Sequence, residues 1–232
     1  MRNEAAPLAL VTGSSAGIGR AISDLLLAQG WSVLGWDRQH CDSSHPAYRH
    51  QCLDLACTDE LAQALSALPP VSALVHAAGW MQTAPLEQAD LAAGAAMWQV
   101  HVQAAMQMAQ ALVPPMRQRG HGRVILIGSR VAQGMAGRSQ YAGVKAALIA
   151  MARSWAAEVA ADGVTVNVVS PAATRTAMLS DPARAASLPK LPPIGRYIEP
   201  REVAELVAFL LSRSADAITG QDIPICGGSS LR

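Results

Sequence analysis

Thr12-Gly13-Ser14-Ser15-Ala16-Gly17-Ile18-Gly19 is the stretch on which the fold turns. It follows a short apolar run, Leu8-Ala9-Leu10-Val11, that reads as a strand. It opens onto Ile18 to Ala28, whose apolar residues recur at helical spacing and stop at Gly30. A glycine cluster alone is an ordinary turn signal. Between a strand and a helix it becomes a phosphate cradle: Gly13 permits a tight turn, and Gly17 and Gly19 allow close approach of a pyrophosphate to backbone. The helix that follows points its positive end at that anion.

Working outward, Ser32 to Trp36 reads as a second strand ending at Asp37, and a polar connection containing Pro46 runs from Arg38 to Tyr48. A third strand is expected to end at Leu53-Asp54, followed by a helix capped by Thr58 and carrying Leu61, Leu65 and Leu68. Val71 to Ala77 is a fourth strand. Met97 to Arg119 reads as a long helix, bent at Pro114-Pro115. Val124 to Ile127 is a fifth strand, Ser139 to Ala161 a helix, and Val164 to Val169 a sixth strand. An irregular, Pro-rich segment spans Pro171 to Pro200, before a helix over Glu202 to Ser212 and a strand over Asp222 to Cys226. No internal repeat interrupts this alternation. Alternating strands and helices with near-continuous apolar strands imply one α/β domain over residues 1–232, a doubly wound parallel sheet with helices on both faces. Ligands of such sheets sit at the carboxyl ends of the strands, near the switch point.

Composition narrows the function. Of 232 residues, 51% are hydrophobic and 15% charged, which excludes a disordered chain. Eighteen Lys+Arg against 17 Asp+Glu give a net charge of +1, no footprint for nucleic acid or an anionic membrane. No apolar run reaches the length of a membrane span, and Met1-Arg2-Asn3-Glu4 lacks the apolar core of a signal peptide, so a cytoplasmic location is expected. Cys41, Cys52, Cys57 and Cys226 form no CxxC knuckle and meet no His pair, so they read as reduced thiols and no metal is expected.

Asp37, at the end of the second strand, can accept hydrogen bonds from both adenosine ribose hydroxyls and would repel a 2′-phosphate. Ala16 adds no positive charge there. Arg38 points the other way, since it could meet a phosphate or stack on adenine. NAD is favoured over NADP on this balance. Asp54, at the end of the third strand, is a candidate for the adenine amino group, with Leu55 adding backbone; a plain helix-flanking acid is the alternative.

Gly13, Gly17, Gly19, His76-Ala77-Ala78-Gly79, Ser129, Tyr141, Lys145 and Pro171 through Thr176 together resemble the short-chain dehydrogenase/reductase family, from Leu8 to about Leu231. The most specific part is Tyr141-x-x-x-Lys145 with Ser129 twelve residues upstream of the tyrosine. Asn167 and Ile218-Thr219-Gly220-Gln221 match the family's later segments. The resemblance implies a Rossmann-type NAD(P)-binding oxidoreductase acting on a CH–OH group. It implies that Gly13, Ser15, Gly17, Ile18, Gly19 and Asp37 hold the dinucleotide, with Ala77, Ala78 and Gly79 alongside. Tyr141, Lys145, Pro171, Thr174 and Thr176 would hold its nicotinamide end. Tyr141 and Lys145, one helical turn apart, face the same way. The lysine would lower the tyrosine pKa, Tyr141 would exchange the proton, and Ser129 would hold the substrate oxygen.

Four departures from the family stand out. His101 occupies the place of an asparagine that serves a proton relay; it either keeps that relay with altered pH dependence or is a packed histidine. His76 also replaces an asparagine, and a structural hydrogen bond is expected of it. Ala172 stands where a glycine is usual, and Cys226 replaces a frequent aspartate.

The substrate wall is expected from Trp80, Met81, Arg130, Val131, Met135 and Ala173, with Ser129 and Tyr141 between them. A short lid of about residues 175–198 would carry Met178, Leu179, Leu188 and Leu191 with Arg184 and Lys190. These residues suit a small or medium secondary alcohol or its ketone, with a cyclic diol or hydroxy acid also compatible. A 3-oxoacyl-thioester reductase using NADP is the competing activity, and a dinucleotide-binding regulator with little turnover the competing class. The resemblance implies a homotetramer or homodimer, for which the Ala-rich faces Ala104-Ala105-Met108-Ala109 and Ala146-Ala147-Ala150-Met151 are candidates; they would equally fit an internal core.

Overall fold

The computed structural model describes residues 6–179 and 190–231. Seven strands form one sheet: β1 (Leu8–Thr12), β2 (Ser32–Asp37), β3 (Tyr48–Cys52), β4 (Ala73–His76), β5 (Gly122–Ile127), β6 (Val164–Pro171) and β7 (Asp222–Ile225). Their order is β3-β2-β1-β4-β5-β6-β7, and every pairing is parallel. The expected doubly wound α/β fold is therefore the observed one. The chain reverses its direction of travel across the sheet between β1 and β4, and a crevice opens there at the carboxyl ends.

The central strands explain their own placement. β5 and β6 are buried along their whole length, because helices cover both faces. α1 (Gly17–Ala28) packs with α6 (Pro200–Leu211) on one face, sealing Ile22, Leu26, Val203 and Val207 against Val11, Ile125 and Val169. α2 (Thr58–Ser66), α3 (Leu91–Trp98), α4 (Ala104–Gln118) and α5 (Ser139–Val159) contribute to the core on the other face, around Leu10, Leu74, Leu126 and Val166. The edge strands β3 and β7 are partly exposed.

Several boundaries differ from the sequence expectation for identifiable reasons. β3 ends at Cys52, so Leu53 and Asp54 lie beyond it; Leu53 N still donates to Asp37 O at 2.9 Å. Thr58 is the first helical residue rather than the cap: Cys57 holds the cap position, and the Thr58 hydroxyl accepts from Gln99 Nε2 at 3.2 Å. The long fourth-strand crossover helix begins at Leu91, well before Met97. Asp90 caps it, its carboxylate accepting from Ala92 N at 2.9 Å. The run Leu91-Ala92-Ala93-Gly94-Ala95-Ala96 is too uniform to show a helical period. The irregularity falls at Gln99–Gln103, a π-helical turn containing His101, while the helix continues through Pro114 and Pro115 to Gln118.

Of the two Ala-rich faces, Ala104, Ala105, Met108 and Ala109 are buried in the chain's own core, so this patch is internal packing. Ala146 and Ala150 are exposed. Among the described residues no helix is long and apolar enough to cross a membrane.

Candidate active site

A crevice of about 1050 Å³ runs along the carboxyl ends of the strands. Its shape begins with the turn after β1. Gly13 has φ +68°, and a Cβ there would lie 2.8 Å from Ala78 N and Cα. A Cβ on Gly19 would run into Gly13 O. Both positions are glycine because the turn, the start of α1 and the end of β4 occupy one small volume. The N-cap of α1 is Ala16, which supplies no side-chain cap, and the first turn holds no acid. The first amide groups of α1 thus have no side-chain acceptor, as an anion-binding helix end requires.

Asp37 is fixed at the floor of this end. Its Oδ2 accepts from Ser15 N at 3.1 Å and its Oδ1 from Gln39 N at 2.9 Å. A carboxylate has about four acceptor sites, so room remains for ribose hydroxyls. Ser15 itself does not line the crevice; its hydroxyl donates to Gln39 O at 2.9 Å. Asp54 and Leu55 do line it, with Asp54 Oδ1 accepting from Ala56 N at 2.9 Å. Gly17, Ile18, Ala77, Ala78 and Gly79 complete this half. This cradle, left open by missing Cβ atoms and closed by a carboxylate, fits a nicotinamide dinucleotide.

Thr12 ties the two halves together. Its hydroxyl oxygen accepts from Ala77 N at 3.2 Å and Ala78 N at 3.1 Å. The hydroxyl hydrogen is therefore directed to His76 Nδ1, 2.9 Å away. That fixes His76 with its proton on Nε2, donated to His101 O at 3.2 Å. Burial, then the nearby Lys145 charge, pushes the His76 pKa down to about 3, so the ring stays neutral. The structural hydrogen bond expected of His76 is present. Thr12 was not singled out in the sequence, although its place at the end of β1 was a signal.

At the other end Ser129, Tyr141 and Lys145 line one wall. Ser129 follows β5 and caps a short turn; its Oγ accepts from Val131 N at 3.2 Å, leaving its hydrogen to donate. Tyr141 and Lys145 share the first turns of α5, with Lys145 Nζ 5.6 Å from the Tyr141 ring centre. Both are buried. Lys145 Nζ donates to Ile127 O at 2.6 Å. Burial lowers its pKa from the ordinary 10.5 to about 7.

His101 is almost fully buried, its ring edge-on to Tyr141 with centres 5.8 Å apart. Its Nε2 lies 2.9 Å from Trp80 O and 3.2 Å from Trp80 N, and one tautomer serves each. Nδ1 is buried with no partner among the described residues. The ring packs so closely on Gly79 that a Cβ there would meet it. Burial, then Lys145, drives its pKa well below 6.5. The histidine is neutral and packed, yet one nitrogen remains open.

Trp80, Met81, Arg130, Val131 and Ala173 line the substrate end, as do Pro171, Thr174 and Thr176 after β6. Thr174 bridges to Ile198, which fastens both ends of the segment that follows. Met178, Leu179 and Lys190 line the crevice with Leu191; Arg184 and Leu188 lie outside the described residues. The buried Arg138 also lines the crevice and was not foreseen; its place three residues before Tyr141 was the available signal.

Fold and crevice together define a dinucleotide-binding α/β oxidoreductase. Residues 13–230 match a family model described as enoyl-(acyl carrier protein) reductase, and the chain belongs to the short-chain dehydrogenase/reductase family. It is 35% identical over 235 aligned positions to the 3-oxoacyl-[acyl-carrier-protein] reductase FabG of Escherichia coli, covering 95% of this chain and 96% of that one. A solved short chain dehydrogenase/reductase family protein superposes with a TM-score of 0.88 at 33% identity, over 97% of this chain and 98% of the other. A Beutenbergia cavernae structure, described as an NAD(P) dependent gluconate 5-dehydrogenase with NADP bound at low occupancy, gives 0.87 at 30% identity, over 98% of each chain. The protein is an oxidoreductase of CH–OH groups that binds NAD(P).

Proposed function

We propose that the chain is an NAD-dependent enzyme interconverting a small or medium secondary alcohol and its ketone, with Tyr141 as the proton-transfer group. The observation that carries this is the single crevice wall holding the Ser129 hydroxyl, Tyr141 and Lys145, at the far end from the glycine loop and Asp37. When bound, the nicotinamide supplies or accepts the hydride. Tyr141 gives a proton to the substrate oxygen in reduction and removes it in oxidation. Ser129 donates its hydroxyl hydrogen to the same oxygen and stabilises developing charge. Lys145, held by Ile127 O, supports the tyrosine electrostatically and binds the nicotinamide ribose. His101 takes part as a neutral hydrogen-bonding group through Nδ1. Trp80, Met81, Val131 and Ala173 form the apolar part of the substrate wall, and Met178, Leu179, Lys190 and Leu191, from the lid segment over about 175–198, border it; residues 180–189 lie outside the described residues.

Asp37 supports NAD, because a fixed carboxylate repels a 2′-phosphate. A second reading has specific support: Arg38 also lines the crevice, and the E. coli relative is named for 3-oxoacyl reduction. Under it the protein reduces a 3-oxoacyl thioester with NADPH. Titrating the protein with NADH and with NADPH separates the two; tighter NADPH binding overturns the first. A turnover screen over hydroxy acids, cyclic alcohols and diols with NAD, and over 3-oxoacyl thioesters with NADPH, then reads the substrate class. Of the two Ala-rich faces considered for a homotetramer or homodimer, the α5 face with the exposed Ala146 and Ala150 is the one left for assembly, and light scattering tests it.

A further inference from the structure

Charge is spread unevenly along the crevice. Among its described lining residues the acids are Asp37 and Asp54, both at the glycine-loop end. The end that holds Ser129 and Tyr141 is lined by Arg130, Arg138, Lys145 and Lys190, with no acid among the described residues. Lys145 and Arg138 are already engaged: Lys145 is buried and donates to Ile127 O at 2.6 Å, and Arg138 is buried in the wall with interactions of its own. Lys190 is exposed, at the edge of the lid segment.

Arg130 differs from these three. It follows Ser129 directly and begins the short turn Arg130–Gln133. It is half-buried, and its guanidinium makes no hydrogen bond or ion pair with any described residue. None of its nitrogens is buried, so its hydrogens remain open to a ligand. A guanidinium stays charged and presents a planar fork that matches a carboxylate. Its neighbours along the wall, Met81, Val131 and Met135, are apolar. A ligand that fills this end strips water from Arg130, and without a counter-charge that loss is uncompensated. Ser129 sets where the reacting oxygen sits, and the next Cα along the chain is only about 3.8 Å away. The counter-charge therefore belongs a short way from the carbinol carbon.

We infer that the substrate is a hydroxy acid or the matching oxo acid, its carboxylate held by Arg130 while Ser129 and Tyr141 hold the carbinol oxygen; this rests on the reading of Ser129 and Tyr141 given above. In oxidation the carbinol hydride passes to the nicotinamide, Tyr141 removes the hydroxyl proton, and the carboxylate is unchanged. A 3-oxoacyl thioester is neutral beside its ketone and offers this guanidinium no partner.

Matched pairs test the charge. 2-Hydroxybutanoate, 3-hydroxybutanoate, 4-hydroxypentanoate and 3-hydroxycyclohexanecarboxylate are each assayed beside the primary amide of the same acid, with NAD and with NADP. The full chain is compared with Arg130→Gln and Arg130→Lys. The wild type should prefer at least one acid over its amide by about tenfold to a hundredfold in kcat/KM, the worth of a charge-assisted hydrogen bond. Arg130→Gln should remove most of that preference, chiefly through KM, because the carboxylate is held alike in the ground and transition states. Arg130→Lys should keep part of it, since charge remains while the fork is lost. Thermal melting and coenzyme titration check that each variant folds; should Arg130→Gln fail, Arg130→Lys carries the comparison. The inference is overturned by turnover confined to neutral alcohols or thioesters, by equal kcat/KM for acids and amides, or by an acid preference that survives the loss of the guanidinium. In each of these cases turnover persists, so the reading of Ser129 and Tyr141 stands. No turnover of any acid, amide, alcohol or thioester removes both together.

Discussion

At the glycine-loop end of the crevice, polar groups are paired with nearby backbone: Asp37 with Ser15 and Gln39, Ser15 with Gln39, Asp54 with Ala56, Thr12 with Ala77 and Ala78. At the Tyr141 end the groups arrive from the ends of β4 and β5, the π-helical turn and α5, and they are buried at a cost. A lysine is held where burial disfavours its charge, and a histidine nitrogen has no partner among the described residues. One end is a shape in the backbone whose polar side chains are paired before any ligand binds, with the first amides of α1 kept for an anion. The other stores unsatisfied chemistry, as reactive sites do. Changes at the two ends should therefore fail differently: turnover at one, binding and stability at the other.

The largest separation is expected from Tyr141→Phe. The ring and its packing remain while the proton donor is lost, so kcat should fall by about a hundredfold to ten-thousandfold. Dinucleotide affinity, measured by nicotinamide fluorescence, should fall far less, by no more than about tenfold, the worth of one hydrogen bond. A variant that keeps turnover would remove the phenol from the mechanism.

Lys145 sharpens the contrast through stability. Its folded pKa of about 7 lies below the unfolded 10.5, so between these values the unfolded chain binds more protons. Stability through this group therefore rises with pH from about 7 to 10.5, at up to about 1.4 kcal/mol per pH unit. Below pH 7 both states are protonated and the cost is full. Urea denaturation of wild type and Lys145→Met at pH 6, 8 and 9.5 should show this slope in the wild type alone. Parallel curves would mean that the lysine titrates normally.

At the nucleotide end, Gly19→Ala should act without touching the chemistry. The added methyl runs into Gly13 O, an overpacking cost of about 1–3 kcal/mol. Thermal stability should drop and dinucleotide affinity weaken about tenfold or more. At saturating coenzyme the residual kcat should approach wild type. A kcat loss persisting at saturation would place this glycine in the reactive end.

The same contrast explains what could be read in advance. The glycine loop, Asp37, and the Tyr141–Lys145 spacing are local: a turn that tolerates no Cβ, a strand end, one helical turn. The alternating strands fixed the sheet for similar reasons. Thr58 misled because it can cap a helix, and only the tertiary partner Gln99 decides how its hydroxyl is used; Asp90, the cap that is used, was passed over because the Ala-rich run after it shows no helical period. Arg138 depends on burial, which a lone arginine in a sequence does not announce. His101 lay between: its position was legible, its charge state was not, because neutrality follows from burial and from Lys145 across the crevice.

His101 therefore gives the smallest and most discriminating test. If it works as a neutral hydrogen-bonding group, His101→Asn should lower kcat by no more than about tenfold, the worth of one hydrogen bond, and leave every inflection of the pH–rate profile in place. A titrating relay would instead lose an inflection on substitution. Packing supplies an independent check, because the ring occupies the space where a Gly79 methyl would sit. Gly79→Ala should be strongly destabilising in the wild type and much milder when combined with His101→Asn, a coupling that a double-mutant cycle reads directly. If the two costs simply add, the ring is not what keeps residue 79 small, and the open nitrogen loses the fixed position on which its role depends.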